Sequence, residues 1–147
     1  MVSQTSIGKS FNKEPPVVMQ ILPSLVTGGV ERGAVDITQA LTSAGWRAIV
    51  VSSGGPMAHE VERAGGLHIE FPAASKNLIT AYRNIGRLVS LIKEHNVDIL
   101  HARSRMPAWS ARGAARKTGI KFITACHGNY STDNRVIKLY NSVVARG

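Results

Sequence analysis

Residues 17–44 read VVMQILPSLVTGGVERGAVDITQALTSA. The apolar run at 17–22 predicts a buried strand, and the apolar residues after the glycine pair recur at helical spacing. Gly28 and Gly29 lie between the two, so the segment predicts a strand, a tight turn and a helix N-terminus. Such a turn directs backbone N–H groups at an anion, and glycine lets a ligand approach the backbone. The pattern favours a phosphate-bearing ligand, although turns of every kind use glycine.

Strand-like and helix-like segments alternate along the rest of the chain. The predicted strands are apolar runs at 17–22, 47–52, 67–71, 98–102 and 121–126. The predicted helices lie at 31–44, 57–64, 78–95, 107–118 and 135–145. Apolar strands joined through helices predict an α/β fold, a Rossmann-like three-layer α/β/α domain with a parallel sheet. Right-handed crossovers favour a doubly wound topology with the strand order 3-2-1-4-5.

The length and composition of the chain limit the number and kind of its domains. A length of 147 residues suits one domain, here 17–147, behind a polar segment 1–16 that we expect to be a disordered leader without a signal peptide. No apolar stretch approaches the roughly 20 residues of a spanning helix. The single cysteine, Cys126, excludes an internal disulfide and favours a cytoplasmic location.

The net charge of +9 is concentrated in the last third of the chain. Residues 1–98 contain nine Lys and Arg against eight acids, whereas 99–147 contain nine against Asp133 alone. This asymmetry predicts an anionic partner: a phosphate-bearing substrate, an anionic membrane surface or nucleic acid. A solvated basic face is the alternative interpretation.

Candidate ligand contacts follow the predicted strands at their carboxyl ends, where doubly wound domains bind ligands. After strand one, the G-x-G-x-x-G pattern of dinucleotide sites is absent, and Arg32 suits either a ligand or a neighbouring carboxylate. After strand four, Arg103 and Arg105 provide forked donors for an anion, and His101 suits a substrate hydroxyl. We expect Trp109 to be a core anchor of the following helix rather than an aromatic ring that stacks on a ligand.

His127 and Gly128 follow strand five. A histidine at this position serves binding or catalysis, or else stabilises a loop. The five histidines lack paired metal-ligand spacing, and a Ser-His-Asp triad has no nucleophile elbow to support it. The sequence therefore predicts neither a metal site nor acyl transfer.

Three segments in this order resemble the N-terminal half of glycosyltransferase family 4. They are PSLVTGGVERG at 23–33, DILHARSRMPAW at 98–109 and TACHG at 124–128. Members are retaining enzymes of the GT-B fold that use nucleotide-sugar donors. The resemblance implies that Gly28, Gly29 and Arg32 contact the donor diphosphate, although Arg32 also suits support of the loop. It further implies that His127 is catalytic, and it assigns the acceptor to His101, Arg103 and Arg105.

The resemblance also implies partners and a location. It indicates a nucleotide-sugar co-substrate, no separate cofactor, and an anionic or lipid-linked acceptor of cell-envelope glycan or glycolipid synthesis, such as lipopolysaccharide. The enzyme is then cytoplasmic, with peripheral contact to the inner face of the membrane. The sequence departs from the family pattern because it contains no second, donor-binding domain and its first domain is incomplete. We expect an excised or truncated domain that is inactive alone and pairs with a second copy through the edge of strand five.

Two other functions fit the sequence less well. A non-catalytic module that binds a phosphorylated ligand or an anionic surface agrees with the basic C-terminal third. Nucleic-acid binding agrees with the pI of about 10.3. It ranks last, because no DNA- or RNA-binding motif is present.

Overall fold

The computed structural model describes residues 14–73 and 77–124, with the backbone alone at 105 and 106. Its nine elements follow in strict alternation of strand and helix. The strands are β1 (Val17–Ile21), β2 (Arg47–Ser52), β3 (Leu67–Glu70), β4 (Ile99–Ala102) and β5 (Lys121–Thr124). The helices are α1 (Gly29–Ser43), α2 (Ala58–Arg63), α3 (Leu78–His95) and α4 (Arg105–Thr118).

The five strands form one parallel sheet in the order β3-β2-β1-β4-β5, which confirms the predicted topology. β1 lies at the centre, and every residue of it is buried. In its register Gln20 lies beside Val50 of β2 and His101 of β4. All carboxyl ends of the parallel strands therefore meet at one edge of the sheet, where a ligand site is expected.

Helices cover both faces of the sheet, as a three-layer domain requires. On one face Leu88 and Ile92 of α3 and Ala111 of α4 pack against β1 residues such as Met19. On the other face α1 and α2 pack against the sheet, with apolar contacts contributed by Ala34, Val35, Ile37, Leu41 and Val61. Burial of this apolar surface from both sides is the main stabilising contribution to the fold.

A polar contact joins the central strand to α1. The buried Gln20 donates its Nε2 hydrogens to the carbonyl of Ala34 at 3.1 Å and to Oγ1 of Thr38 at 3.2 Å. Thr38 in turn donates to Ala34 O at 2.8 Å. Because buried amides are costly when their hydrogen bonds are lost, this network fixes the position of α1 over β1.

Individual residues explain where two of the helices begin and end. Asn77 caps α3, because its Oδ1 accepts from Ile79 N at 2.9 Å. Asn96 then ends α3 in the left-handed conformation at φ 53°, and Gly119 ends α4 at φ 74°. The sequence predicted α3 and β2 at their exact bounds, the start of β5 exactly and the bounds of the other described elements within two residues.

One prediction about packing is wrong. Trp109 is not a core anchor, because its side chain lies on the outside of α4 and the residue is 51% exposed. Small residues fill the contact between α3 and α4 instead, so the indole is not needed there. Residues 1–13 of the predicted leader 1–16, the predicted end of strand five after Thr124 and the predicted helix 135–145 lie outside the described residues.

Candidate functional site

The glycine turn lies at the carboxyl end of the central strand. Gly28 adopts φ 147° and ψ 177°, a conformation open only to glycine, and it directly precedes α1. The first helical hydrogen bond runs from Arg32 N to Gly28 O at 3.0 Å. Within the described residues, no side chain caps this helix through a hydrogen bond. The first N–H groups of α1 are thus the ones available to a ligand from outside the helix.

A carboxylate lies close to this turn. A Cβ at Gly28 would lie 2.5 Å from Oε2 of Glu31, so the Glu31 side chain folds back towards the start of α1. A negative charge at this place interacts favourably with the N-terminal end of the helix dipole. The position therefore favours an anion, and the chain itself supplies one there.

The turn is held by the neighbouring loop after β2. Leu25 N donates to Gly54 O at 2.9 Å, and Met57 N donates to Leu25 O at 2.9 Å. Gly55 has φ 144°, and a Cβ at this residue would overlap the backbone of Leu25. The two loops consequently form one unit, which presents Gly28 and Gly29 from a fixed support.

Arg32 and Glu60 form an ion pair across α1 and α2. Their side chains approach to 2.8 Å and are 55% and 37% exposed. Glu60 is therefore the neighbouring carboxylate that the sequence allows as one of two possible partners of Arg32. The contact with a donor diphosphate stays a prediction for Arg32.

We expect the Arg32–Glu60 pair to contribute less than about 1 kcal/mol to stability, because both side chains reach solvent and salt screens such pairs. Arg32→Gln, Glu60→Gln and the double variant form a thermodynamic cycle, measured by urea denaturation at low and high salt. A coupling free energy near zero at high salt agrees with this account. A coupling energy above about 2 kcal/mol would show that the pair is structurally essential.

His101 and Arg103 lie at the end of β4 and are both buried. Arg103 N donates to Ile21 O at 2.9 Å, which continues the pairing of β4 with β1. A Cβ at Gly33 would overlap Nη2 of Arg103, so the guanidinium lies against α1 about one helical turn after Gly29. A positive charge is thus placed beneath the glycine turn.

Burial, and to a smaller extent the charge of Arg103, lowers the pKa of His101 from 6.5 to about 3. The imidazole is therefore neutral at physiological pH. A neutral ring both donates and accepts hydrogen bonds, which suits a hydroxyl group better than a phosphate. His101 is only 3% exposed. Its contact with the acceptor stays a prediction.

The structure brings some of the predicted site residues together and leaves others undescribed. Gly28, Gly29 and Arg32 share the start of α1, and Arg103 lies beneath it. Arg105 begins α4, where only its backbone is described, and His127 lies outside the described residues. Their predicted roles at the acceptor and at the reacting centre stay predictions.

Sequence reasoning missed two features of this site. Gln20 is the first feature, because a polar residue within an apolar strand indicates a buried hydrogen-bond network. Gly33 is the second feature, because it leaves the space that the Arg103 guanidinium occupies. A glycine inside a helical pattern indicates close approach of another group.

A cavity of about 330 Å³ lies at the same edge of the sheet, lined by Ser53, Glu70, Phe71 and Pro72. Across 14–73 and 77–124, no three His, Cys, Asp or Glu side chains are grouped as metal ligands. None of the helices in these two ranges has the length and apolar character needed to cross a bilayer.

Comparison with known proteins assigns the chain to a family. The model of Glycosyltransferase Family 4 matches residues 27–146. A glycosyltransferase from Rickettsia africae ESF-5 of known crystal structure is 39% identical, with a TM-score of 0.71. The match covers 91% of this chain and 35% of the Rickettsia protein, so the chain spans about a third of that protein's length. No curated protein matches the sequence significantly.

Two further structures share the fold at low sequence identity. MurG of Acinetobacter baumannii has a TM-score of 0.60 and 16% identity over 84% of this chain and 39% of MurG. The C-terminal domain of a hydrogenase from Pyrococcus furiosus has a TM-score of 0.56 and 12% identity over 78% of this chain and 93% of that domain. Since both are less than 25% identical to this chain, their likeness shows the fold alone.

Proposed function

Because this chain belongs to glycosyltransferase family 4 and has the Rossmann-like fold of its GT-B neighbours, we propose that it is the N-terminal, acceptor-side domain of a retaining, nucleotide-sugar-dependent glycosyltransferase. The observation that carries the proposal is the uncapped α1 terminus behind Gly28, at the carboxyl end of the central strand. Helix N-termini at this edge of a parallel sheet bind phosphate groups.

The donor diphosphate is the proposed ligand of the glycine turn. Gly28 and Gly29 offer backbone N–H donors to it at the start of α1. Arg32 reaches the same ligand only if it leaves Glu60. In this mechanism the domain positions the donor and stabilises the charge of the leaving diphosphate.

The proposed acceptor contacts come from the end of β4. Arg105 and Arg103 hold an anionic group of the acceptor, while the neutral ring of His101 binds a hydroxyl. Because His101 and Arg103 are buried, these contacts require the acceptor to reach beneath the first turn of α1. His127 is proposed as the catalytic residue at the donor sugar.

We place the enzyme in the cytoplasm, in synthesis of a cell-envelope glycan or glycolipid such as lipopolysaccharide, with peripheral contact to the inner membrane face. Residues 1–147 alone are proposed to be inactive or nearly so, because a GT-B site lies between two domains and this chain spans 35% of the Rickettsia protein. No separate cofactor is proposed.

Self-association through β5 is a further part of the proposal. Among the described strands β5 lies at the edge of the sheet, with half-buried residues at 121–123. An open apolar edge pairs readily with another strand. Sedimentation velocity is expected to show dimer at high micromolar concentration, and a monodisperse monomer there contradicts the idea.

Thermal denaturation with a panel of ligands tests the proposed function. UDP, GDP and their sugar conjugates are expected to raise the Tm, because a ligand that binds the folded state stabilises it. Inorganic phosphate at the same ionic strength is the control for non-specific anion binding. Stabilisation by phosphate as strong as by the nucleotides favours a simple anion-binding module. Binding to DNA alone, with a steep salt dependence, contradicts the glycosyltransferase proposal.

A further inference from the structure

Four large apolar side chains lie exposed together at the ends of α3 and α4 that face the ligand edge of the sheet. We call this group the outer patch: Leu78, Ile79, Tyr82 and Trp109, which are 77%, 65%, 71% and 51% exposed. Tyr82 and Trp109 contact each other edge to face, with ring centroids 5.7 Å apart. Leu78 and Ile79 precede Tyr82 by four and three residues, so the three share one face of α3. A contiguous exposed apolar group of this kind indicates an interaction site.

The outer patch is not needed to hold the two helices together. Ser110 Oγ donates to Ala81 O at 3.1 Å across the contact. A Cβ at Gly113 would lie 2.9 Å from Cδ1 of Ile85, so the helices meet through small residues. Below this contact Ile85 and Leu88 are buried in the core. The four patch residues therefore project away from the protein although the core beside them is complete.

Arginines continue the outer patch along both helices. Arg83 and Arg87 are exposed on α3, and Arg112 and Arg116 are exposed on α4, three and seven residues after Trp109. Together α3 and α4 contain seven Lys and Arg but only one acid, Glu94, in the last turn of α3. The exposed face of α3 and α4 is thus apolar near the start of the two helices and positively charged further along them.

We propose that this outer face of α3 and α4 docks on an anionic lipid bilayer. Trp and Tyr suit the boundary between lipid tails and water, and exposed Leu and Ile gain from partial insertion. The arginines extend towards lipid phosphates while their stems cover apolar surface. A soluble carbohydrate would use the aromatic rings but leave the two aliphatic side chains in water.

Docking in this orientation also places the carboxyl edge of the sheet, where the glycine turn lies, next to the bilayer. α3 and α4 both begin at the carboxyl edge of the sheet, so the outer patch and the glycine turn lie on the same edge of the domain. A lipid-linked molecule in the bilayer is then presented to the edge that holds Arg103 and the start of α1. This docking face rests on the membrane contact that is part of the proposed function. Vesicle binding does not depend on nucleotide binding, so a failure of membrane docking can be distinguished from a failure of the proposed glycosyltransferase function.

Co-sedimentation of the 147-residue chain with vesicles tests the docking face. We expect binding to phosphatidylcholine vesicles that contain phosphatidylglycerol, and at least tenfold weaker binding to phosphatidylcholine alone, on the order expected for several Arg–phosphate contacts. The Ile79→Ser/Tyr82→Ser variant is expected to bind anionic vesicles about tenfold more weakly. The Arg83→Gln/Arg87→Gln variant is expected to lose most of the preference for phosphatidylglycerol.

The matched control is Arg63→Gln/Leu67→Ser, which removes an exposed cation and an exposed apolar residue elsewhere on the surface. It should bind vesicles as the parent chain does. A second readout is the fluorescence of Trp109 in a Trp46→Phe background, which should shift to the blue on binding anionic vesicles. Absence of binding at low salt overturns the proposal, as does unchanged binding by the Ile79→Ser/Tyr82→Ser variant. Self-association that this variant abolishes, without vesicle binding, reassigns the face to a second copy of the chain.

Discussion

Acidification from pH 7 to pH 5 is expected to lower the free energy of unfolding by about 2 kcal/mol through His101 alone. Burial lowers the pKa of this ring to about 3 in the folded chain, against 6.5 in the unfolded chain. The contribution is fully present above pH 6.5 and is lost as the pH falls towards 3, because only the unfolded chain takes up the proton there. Urea denaturation at half-unit pH steps measures the slope.

His101→Gln is the variant that isolates this effect. It removes the titrating ring, so the slope between pH 7 and 5 should become much shallower whatever the variant loses in packing at pH 7. Some slope should remain, because burial also lowers the pKa of His68, although Glu70 and Glu62 oppose that shift. Equal slopes in the parent and the variant would show that His101 takes up its proton at the same pH in the folded and the unfolded chain.

Replacement of Gly55 by alanine is expected to destabilise the protein by about 2–4 kcal/mol. Gly55 has φ 144°, which strains any L-residue, and a Cβ there would overlap the carbonyl group of Leu25. The loop after β1 must then move, and the hydrogen bonds between Leu25 and the loop after β2 are weakened. Chemical denaturation measures the loss, and nucleotide binding should decline with it, since this loop carries Gly28.

Gly86→Ala is the matched control for the Gly55 prediction. Gly86 lies on the exposed face of α3, and a Cβ there meets nothing within 4 Å. Alanine should therefore be neutral or stabilise the helix by up to about 1 kcal/mol. A Gly55→Ala variant as stable as this control would show that the two loops do not hold each other as described.

The sheet and its order were predictable because several independent signals agree. Apolar strands such as Arg47–Ser52 are bounded by glycine, and the helix Leu78–His95 has both a long amphipathic period and an asparagine cap. Right-handed crossovers then leave few topologies for five parallel strands. The Gly28–Gly29 turn follows from the same pattern, because it lies between a strand and a helix.

Side-chain placement at the site was less predictable. The sequence shows that Arg103 follows a strand but not that it is buried against α1, which depends on the room that Gly33 leaves for its guanidinium. We expected Trp109 to anchor the core, but it lies on the exposed face of α4, three residues before the exposed Arg112. Ser110 and Gly113 contact α3 instead. Both outcomes depend on contacts between residues distant in sequence, which periodicity does not contain.

Amide chemical shifts provide the most direct test that the glycine turn binds a nucleoside diphosphate. A ¹⁵N-labelled sample of the 147-residue chain is titrated with UDP or GDP, and with inorganic phosphate in parallel. We expect the amide signals of Gly28 and Gly29 to move with the nucleotide, while that of Gly86 on the outer face of α3 does not. Shifts confined to the basic residues after β4, with Gly28 and Gly29 unchanged at saturation, would contradict diphosphate binding at the glycine turn.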